Sequence, residues 1–257
     1  MFEDRTGRMP SGSPALLNPF DRLRVAITGG TSGLGLALVR ELLARGAEVA
    51  FVARGRDRVR QVEDGQPNAH GIAGDVSRKD HTYPLAMQIA AALGGVDVLI
   101  NNASDLGPPG LALLADTDCE DFERAIATNL LGPFRLTKAL LGSLAASARE
   151  GRGAVVLNIS SDAAVSAYPR WGAYGASKAA LQHMSRIWNE ELGAEGITVL
   201  AMDPGDMDTP MHAAAVPDAD PADLKRPETA ARELVEVVAE VLLRRGTAYE
   251  LQCEAVR

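Results

Sequence analysis

Tyr174 and Lys178 are the two residues whose types and spacing most directly offer acid–base chemistry in this sequence. They lie four residues apart in the run W-G-A-Y-G-A-S-K at 171–178, so a helix would place both side chains on one face, one turn apart. A phenol beside an ammonium group is a proton donor whose phenolate form the cation stabilises. The spacing is common in helices, so its meaning depends on what else the chain brings to this face.

A glycine-rich turn supplies a second feature with chemical meaning. The run T-G-G-T-S-G-L-G at 28–35 follows a short apolar segment and precedes a helical pattern that continues through Arg45. Glycines at a strand-to-helix turn let the backbone approach a pyrophosphate and aim the helix N-terminus at it. The structural alternative is a tight strand–helix corner with no ligand.

Basic residues follow the next apolar run. Arg54 comes directly after Ala53, and Arg56 and Arg58 are close behind, where an NAD-binding protein usually carries an acidic residue against the ribose 2′-hydroxyl. A guanidinium group suits a 2′-phosphate, so we expect NADP(H) to be preferred over NAD(H). A solvated basic loop is the alternative. Asp75, after the third apolar run, either accepts from an adenine amino group or forms a turn before the next helix.

Pro133 affects the backbone inside a long helical region at 118–148. Proline has no N–H, so it cannot donate to the carbonyl of Asn129 four residues earlier. We therefore expect a kink, with the Asn129 carbonyl free to bind a water. A kink that serves packing only, supported by Gly132, is the alternative.

The elements that must position these residues alternate between apolar strand patterns and helical patterns. This alternation predicts an α/β fold, a Rossmann-like doubly wound parallel sheet of about seven strands with helices on both faces. The expected strands are 24–28, 48–53, 69–74, 96–100, 153–159, 197–202 and a short last one at 249–253. The expected helices are 33–45, 82–93, 118–148, 171–192 and 227–245. In such a sheet, ligands bind at the carboxyl ends of the strands, where the unusual residues fall.

The domain organisation follows from composition. Residues 1–22 are rich in Gly, Pro, Ser and charge and are expected to form a mobile extension, whereas 23–257 form one Rossmann-type catalytic domain. Residues 206–227 are rich in Ala, Met, Pro and Asp without a clear period, which indicates a mobile lid over a moderately apolar substrate pocket. The substrate is then expected to be a small or medium apolar molecule.

Bulk properties exclude several classes of function. The formal net charge of −8 argues against a nucleic-acid or anionic-membrane partner. The two cysteines lack metal or disulfide spacing, the four histidines show no metal pattern, and no apolar run reaches transmembrane length. The first residues lack the apolar block of a signal peptide, so a cytoplasmic location is expected.

Taken together, these motifs resemble those of the short-chain dehydrogenase/reductase family over about residues 24–231. The motifs are T-G-G-T-S-G-L-G at 28–35, G-D-V at 74–76, N-N-A at 101–103, T-N-L-L-G at 128–132, N-I-S-S at 158–161, Y-G-A-S-K at 174–178 and D-P-G-D-M-D-T at 203–209. The resemblance implies a catalytic tetrad of Asn129, Ser161, Tyr174 and Lys178, with Ser161 favoured over Ser160 because it lies thirteen residues before Tyr174.

The resemblance also implies a role for each residue. Tyr174 would be the general acid and base, Lys178 would lower the Tyr174 pKa and bind the nicotinamide ribose, and Ser161 would donate to the substrate oxygen. The Asn129 carbonyl would hold a water that links Lys178 to solvent. The implied cofactor-binding residues are Gly29, Thr31, Ser32, Gly33, Leu34, Gly35, Arg54, Asp75, Val76, Asn102, Ala103, Tyr174, Lys178, Pro204, Gly205, Met207 and Thr209.

Two departures from the family pattern bear on function. Ser104 stands where many relatives carry glycine after N-N-A, which we expect to alter the following loop without touching the tetrad. The C-terminus lacks the D-G-G ending of many acyl-carrier-protein reductases and tetramers, so a homodimer through the helices at 118–148 and 171–192 is expected and a tetramer is left open. Alternative functions are a 3-oxoacyl-thioester reductase, a non-catalytic NADP-binding sensor or scaffold, and a Tyr–Lys epimerase or dehydratase.

Overall fold

The computed structural model describes residues 18–254 and contains one sheet of six parallel strands, in the order β3-β2-β1-β4-β5-β6. The strands are β1 Arg24–Thr28, β2 Glu48–Ala53, β3 Ala69–Ala73, β4 Val98–Asn101, β5 Ala154–Ile159 and β6 Ile197–Met202. The doubly wound parallel fold is confirmed, and the order reverses between β1 and β4, where such sheets open a crevice for ligands.

Eight α-helices connect and cover these strands within the described residues. They are α1 Gly33–Ala44, α2 Arg56–Glu63, α3 Thr82–Leu93, α4 Cys119–Ile126, α5 Gly132–Arg149, α6 Gly172–Leu192, α7 Pro210–Ala215 and α8 Pro227–Glu254. The prediction of a seventh strand at 249–253 is wrong, because the helix that begins at Pro227 continues through those residues. Gly246 is the only strong helix breaker after Pro227, and an isolated glycine inside a helix is tolerated.

The core lies in two layers, one on each face of the sheet. Side chains alternate along each strand, so Val25 and Ile27 face α1 and α8 whereas Ala26 faces α3 and α5. On α1, Leu34, Leu38 and Leu42 form the apolar stripe that the 3.6-residue period predicts. The helices hold the sheet rigidly, so the strand ends become fixed points for a site.

The start of the chain joins this core at residue 20. Phe20 is buried, with the Arg45 guanidinium group 5.2 Å from the centre of its ring, and the Asn18 side chain donates to the Arg45 carbonyl. Residues 18–22 of the predicted extension are therefore packed against the domain. Residues 1–17 lie outside the described residues.

A buried charge cluster joins the strands at the amino edge of the sheet, opposite the predicted site. Asp97 is fully buried and accepts hydrogen bonds from Arg24 at 2.6 Å, from Arg152 at 3.0 Å and from the Ser147 hydroxyl at 2.6 Å. Burial raises the pKa of the Asp97 carboxyl, but these donors outweigh it, and the net pKa is lowered.

No helix in residues 18–254 has the length and apolar character needed to cross a membrane.

Candidate active site

The carboxyl ends of the strands enclose a cavity of about 860 Å³. Every residue predicted to bind a cofactor lines it, as do Ser161, Tyr174 and Lys178. Asn129 does not line the cavity and is completely buried behind it. Residues from opposite ends of the sequence are thus brought to one edge of the sheet, which is the arrangement that the strand-end pattern predicts.

The glycine-rich turn between β1 and α1 has the form that a phosphate requires. Gly29 and Gly33 adopt φ values of +76° and +49°, and a Cβ on Gly35 would lie 2.1 Å from the Gly29 carbonyl oxygen. Ser32 occupies the N-cap of α1, but its side chain makes no capping hydrogen bond. The first N–H groups of a twelve-residue helix are therefore available to an anion, which the helix dipole also favours.

Residues after β4 brace this turn. The Thr28 hydroxyl oxygen accepts from the backbone N–H groups of Asn102 and Ala103, both at 3.0 Å. The Asn102 amide donates to the carbonyls of Thr28 and Gly29 at 2.9 and 3.3 Å. The Asn102 side chain is thus engaged in fixing the glycine turn, a role that the sequence did not indicate.

The far end of the cavity carries the basic residues. Arg54 and Arg58 are exposed and line it. Arg56 instead begins helix α2, so the basic run is partly helical and not a loop. Asp75 forms the turn that was the alternative to base recognition, since its Oδ1 accepts from the N–H and the hydroxyl of Ser77 at 2.9 and 2.7 Å.

The kink before Pro133 takes the form of a π-helical turn at Ala127–Leu131, in which the Gly132 N–H donates to the carbonyl of Ala127, five residues back. The Asn129 side chain clamps the loop after β4. Its Oδ1 accepts from the Asp105 N–H at 2.8 Å and from the Ser104 hydroxyl at 3.2 Å, and its Nδ2 donates to the Asp105 carbonyl and to the Ser177 hydroxyl, both at 2.8 Å.

Tyr174 and Lys178 lie together on the first two turns of α6. Tyr174 is 9% exposed and Lys178 is 2% exposed, and the Lys178 Nζ is 5.5 Å from the centre of the Tyr174 ring. The Lys178 ammonium donates to the Ile159 carbonyl at 2.7 Å, at the end of β5. Burial of both side chains excludes bulk water from the pair, which strengthens the electrostatic interactions between them.

The pKa values of the pair move in opposite directions. Burial raises the pKa of Tyr174 to about 12, whereas hydrogen bonding with Ser161 and Ser104 opposes that rise. Burial lowers the pKa of Lys178 to about 8, and the Asp203 carboxylate opposes it. The net pKa of Tyr174 is raised because desolvation of the phenol is the largest effect, and the lowering of this pKa by Lys178 stays a prediction.

Ser104 touches the tetrad, so the expectation that it would not is wrong. Its hydroxyl proton can go to the Asn129 Oδ1, 3.2 Å away, or to the Tyr174 oxygen, and the second arrangement lowers the Tyr174 pKa. The signal was present in the sequence as the replacement of a usual glycine by a hydroxyl-bearing residue beside the site. Asp162, next to Ser161 in sequence, is a second residue of the site that the motif analysis missed.

The predicted lid contains a short helix, α7, and hydrogen bonds of Lys225 join the two ends of the lid. Thr209 caps α7 by accepting from the His212 N–H at 3.2 Å. The Lys225 backbone donates to the Asp206 carbonyl and accepts from the Asp208 N–H, both at 3.0 Å, while its Nζ donates to the Pro204 carbonyl at 3.2 Å and pairs with Glu233. Tyr168 and Trp171 also line the cavity.

Comparison with known proteins agrees with this geometry. A family model described as short chain dehydrogenase matches residues 24–220. An uncharacterised short-chain type dehydrogenase/reductase of Sinorhizobium fredii is 34% identical over 74% of this chain and 33% of its own length. A candidate ketoacyl reductase of Streptomyces coelicolor is 35% identical over 73% of this chain and 71% of its own. The chain thus spans a third of the first relative and about seven tenths of the second.

Solved structures share the fold. A 3-ketoacyl-(acyl-carrier-protein) reductase from Brucella melitensis in complex with NADH has a TM-score of 0.78 at 24% identity, covering 84% of this chain and 90% of its own. A short chain dehydrogenase from Burkholderia cenocepacia in complex with NADP has a TM-score of 0.74 at 25% identity, covering 86% and 91%. The two neighbours carry different nicotinamide cofactors.

Proposed function

The chain belongs to the short-chain dehydrogenase family of oxidoreductases, which use a nicotinamide cofactor, and we propose that it moves a hydride between NADP(H) and a carbonyl or alcohol substrate with Tyr174 as acid and base. The observation that carries the proposal is the meeting of Ser161, Tyr174 and Lys178 in a cavity that also contains a phosphate-binding turn. The chemistry that the dinucleotide supplies when bound is the donation or removal of a hydride.

The protein's own residues would position the reactants and move the proton. The N–H groups at the start of α1 would bind the pyrophosphate, and Pro204, Gly205, Met207 and Thr209 would hold the nicotinamide end. In reduction, the Tyr174 phenol would give its proton to the substrate oxygen while the Ser161 hydroxyl donates to that same oxygen.

Lys178 would support the phenolate that this transfer leaves. The 5.5 Å separation between its Nζ and the Tyr174 ring lets the ammonium act electrostatically, and Ser104 adds a second hydroxyl beside the phenol. The Asn129 carbonyl would hold a water that returns protons to Lys178. The Asn129 side chain, by clamping the Ser104–Asp105 backbone, fixes the wall against which the substrate packs.

The proposed reaction is tested by NADPH oxidation with a panel of ketones. Wild-type protein is expected to turn over at least one ketone, and Tyr174→Phe is expected to lose turnover at least about a hundredfold, the usual contribution of a general acid, while it still binds NADPH. Retained turnover in Tyr174→Phe would remove the tyrosine from the mechanism. NADPH binding with no turnover of any ketone or alcohol would favour a sensor or scaffold.

The proposed NADP preference is supported by Arg54 and Arg58, which line the end of the cavity where the adenosine of the cofactor would bind. A guanidinium–phosphate pair is a strong charge-assisted interaction, so Arg54→Ala is expected to lower the ratio of kcat/KM for NADPH to that for NADH by about tenfold or more. Arg56→Ala is the matched control, since Arg56 lies outside the cavity lining, and its ratio should stay unchanged. Equal use of both cofactors by wild-type protein would defeat the proposal.

A 3-oxoacyl-thioester reductase is a second candidate, favoured by the similarity to the Streptomyces protein. An acetoacetyl thioester in the ketone panel separates the two, because a kcat/KM far above that of every simple ketone would select it.

We also propose a cytoplasmic homodimer joined through α4, α5 and α6. Phe134 and Ile187 are exposed apolar residues on α5 and α6, and elution at the monomer mass at micromolar concentration would count against a dimer.

A further inference from the structure

We propose that the substrate carries a hydrogen-bond donor, a hydroxyl or an ammonium group, on the carbon next to the reacting carbonyl, and that Asp162 binds this donor. The inference rests on the proposed function, since it concerns the substrate end of the same cavity. It replaces the apolar substrate expected from the sequence with a compound that carries a neutral or cationic polar group at this position.

Asp162 lies at the reacting end of the cavity. It follows Ser161 directly, begins the short helical turn Asp162–Ala164, and is an exposed residue of the cavity wall. Its Oδ1 accepts from the Ser161 hydroxyl at 3.1 Å, and its Oδ2 accepts from the Tyr168 hydroxyl at 2.7 Å. The carboxylate is therefore held in place from both sides, within reach of whatever Ser161 binds.

The hydrogen bonds that the Ser161 hydroxyl can make indicate which group the substrate must carry. A serine hydroxyl has a single proton, which Ser161 can give to the Asp162 Oδ1, 3.1 Å away, or to the Tyr174 oxygen. When Ser161 donates to a substrate carbonyl instead, the Asp162 Oδ1 loses that donor. A hydroxyl or ammonium group one carbon from the carbonyl would replace the lost donor. The substrate carbonyl would then accept from Ser161 while the substrate donor binds Asp162. A substrate bound at this end of the cavity covers the otherwise exposed Asp162 carboxylate, so a donor on the substrate that replaces the lost hydrogen bond favours binding.

The charges around this end act against an anionic substituent. Asp203 interacts electrostatically with both Tyr174 and Lys178, and Asp206 with Tyr168. The nearby Lys178 ammonium is already engaged with the Ile159 carbonyl, and the His212 Nε2 lies 3.9 Å from a carboxylate oxygen of Asp206. A carboxylate or phosphate beside the reacting carbon would meet three carboxylates, whereas the lining cations Arg54 and Arg58 lie at the far end of the cavity.

A matched series of aromatic ketones tests the inference. Acetophenone, 2-hydroxyacetophenone, 2-aminoacetophenone and benzoylformate share one scaffold and place hydrogen, hydroxyl, ammonium or carboxylate beside the carbonyl. With NADPH and wild-type protein, kcat/KM for the hydroxy and amino ketones should exceed that for acetophenone by about tenfold or more, the factor supplied by one hydrogen bond to a charged group. Benzoylformate should be the poorest. The ratio between the hydroxy and the amino compound identifies which donor the site prefers.

Asp162→Asn assigns the effect to its source. The amide keeps the size and an acceptor oxygen but removes the charge, so the advantage of the amino ketone and the disadvantage of benzoylformate should both shrink by about tenfold. Asp116→Asn removes one exposed carboxylate outside the cavity lining and should leave all four values unchanged. Benzoylformate as the best substrate, or kcat/KM ratios that are unaltered in Asp162→Asn, would overturn the proposal.

The same series separates this inference from the reaction itself. If NADPH binds and no ketone is reduced, the proposed reaction fails. Calorimetric titration of the four compounds into the NADP⁺-loaded protein then decides the inference on its own. Tighter binding of the hydroxy and amino compounds that depends on Asp162 supports it, and equal binding of all four contradicts it.

Discussion

Lys178→Met is expected to stabilise the protein while it removes a residue of the active site. Burial lowers the pKa of Lys178 to about 8, from an ordinary value of 10.5. This difference corresponds to about 3 kcal/mol that opposes folding at pH 7, because the ammonium group must stay charged in the interior. Methionine fills a similar volume without charge. The loss of the hydrogen bond to the Ile159 carbonyl subtracts about 1 kcal/mol, so the expected net gain is about 2 kcal/mol.

The stability gain of Lys178→Met depends on pH. Below about pH 8 the lysine is protonated in both the folded and the unfolded chain, so the full penalty applies to wild-type protein. Between about pH 8 and 10.5 the folded state loses the proton while the unfolded state keeps it, so wild-type stability rises with pH. The advantage of Lys178→Met should therefore be largest at pH 7 and shrink towards about pH 9.5.

Urea unfolding at these two pH values measures the effect directly. Lys79→Met, at an exposed position, is the control and should change the free energy of unfolding by less than about 0.5 kcal/mol at either pH. A Lys178→Met protein that is less stable than wild type at pH 7 would refute the reasoning. So would a stability difference that does not change with pH.

Two further variants test the buried charge cluster around Asp97 and the glycine-rich turn between β1 and α1. Asp97→Asn should lower the free energy of unfolding by about 3 kcal/mol or more, because it removes the buried charge with which both Arg24 and Arg152 pair, and NADPH affinity should be kept. The stability from Asp97 is present at neutral pH and lost as pH falls through its lowered pKa, so acid unfolding of wild type and variant should converge, and a neutral-pH difference below about 1 kcal/mol would contradict this account. Gly35→Ala should weaken NADPH binding, measured by fluorescence titration, by about tenfold or more, since its Cβ would displace the Gly29 carbonyl. Gly142→Ala, with open space around its Cβ, should bind NADPH normally, and equal affinity in both variants would show that the turn tolerates a side chain.

The sequence predicted the fold well where the signal was local. Apolar runs ending in polar or glycine residues marked the strands to within two residues at each end, and β1, β2 and β6 have the expected bounds. Periodicity failed near the C-terminus, where a short run at 249–253 with strand-forming residues continues a helix instead. The helix already formed from Pro227 outweighs the local preference of those residues.

The site was predictable as a set of strand ends, whereas its contacts were not. Ser104 and Tyr174 are seventy positions apart, and only the packing of the loop after β4 against α6 brings the two hydroxyls together. The Tyr174 pKa depends in the same way on burial, which no spacing reveals. Asp162 sits beside Ser161 in sequence, but its role depends on which way the serine proton points. Local patterns thus located the site, and tertiary contacts set its chemistry.

The most direct test of the central claim follows the hydride itself. Wild-type protein, a turned-over ketone and NADPH carrying deuterium at both hydrogen positions of the nicotinamide C4 should yield an alcohol with one deuterium on the former carbonyl carbon, detected by mass spectrometry. Tyr174→Phe should bind the same cofactor and yield at least about a hundredfold less labelled alcohol. Alcohol without the label, or labelled alcohol at the wild-type rate from Tyr174→Phe, would contradict the account.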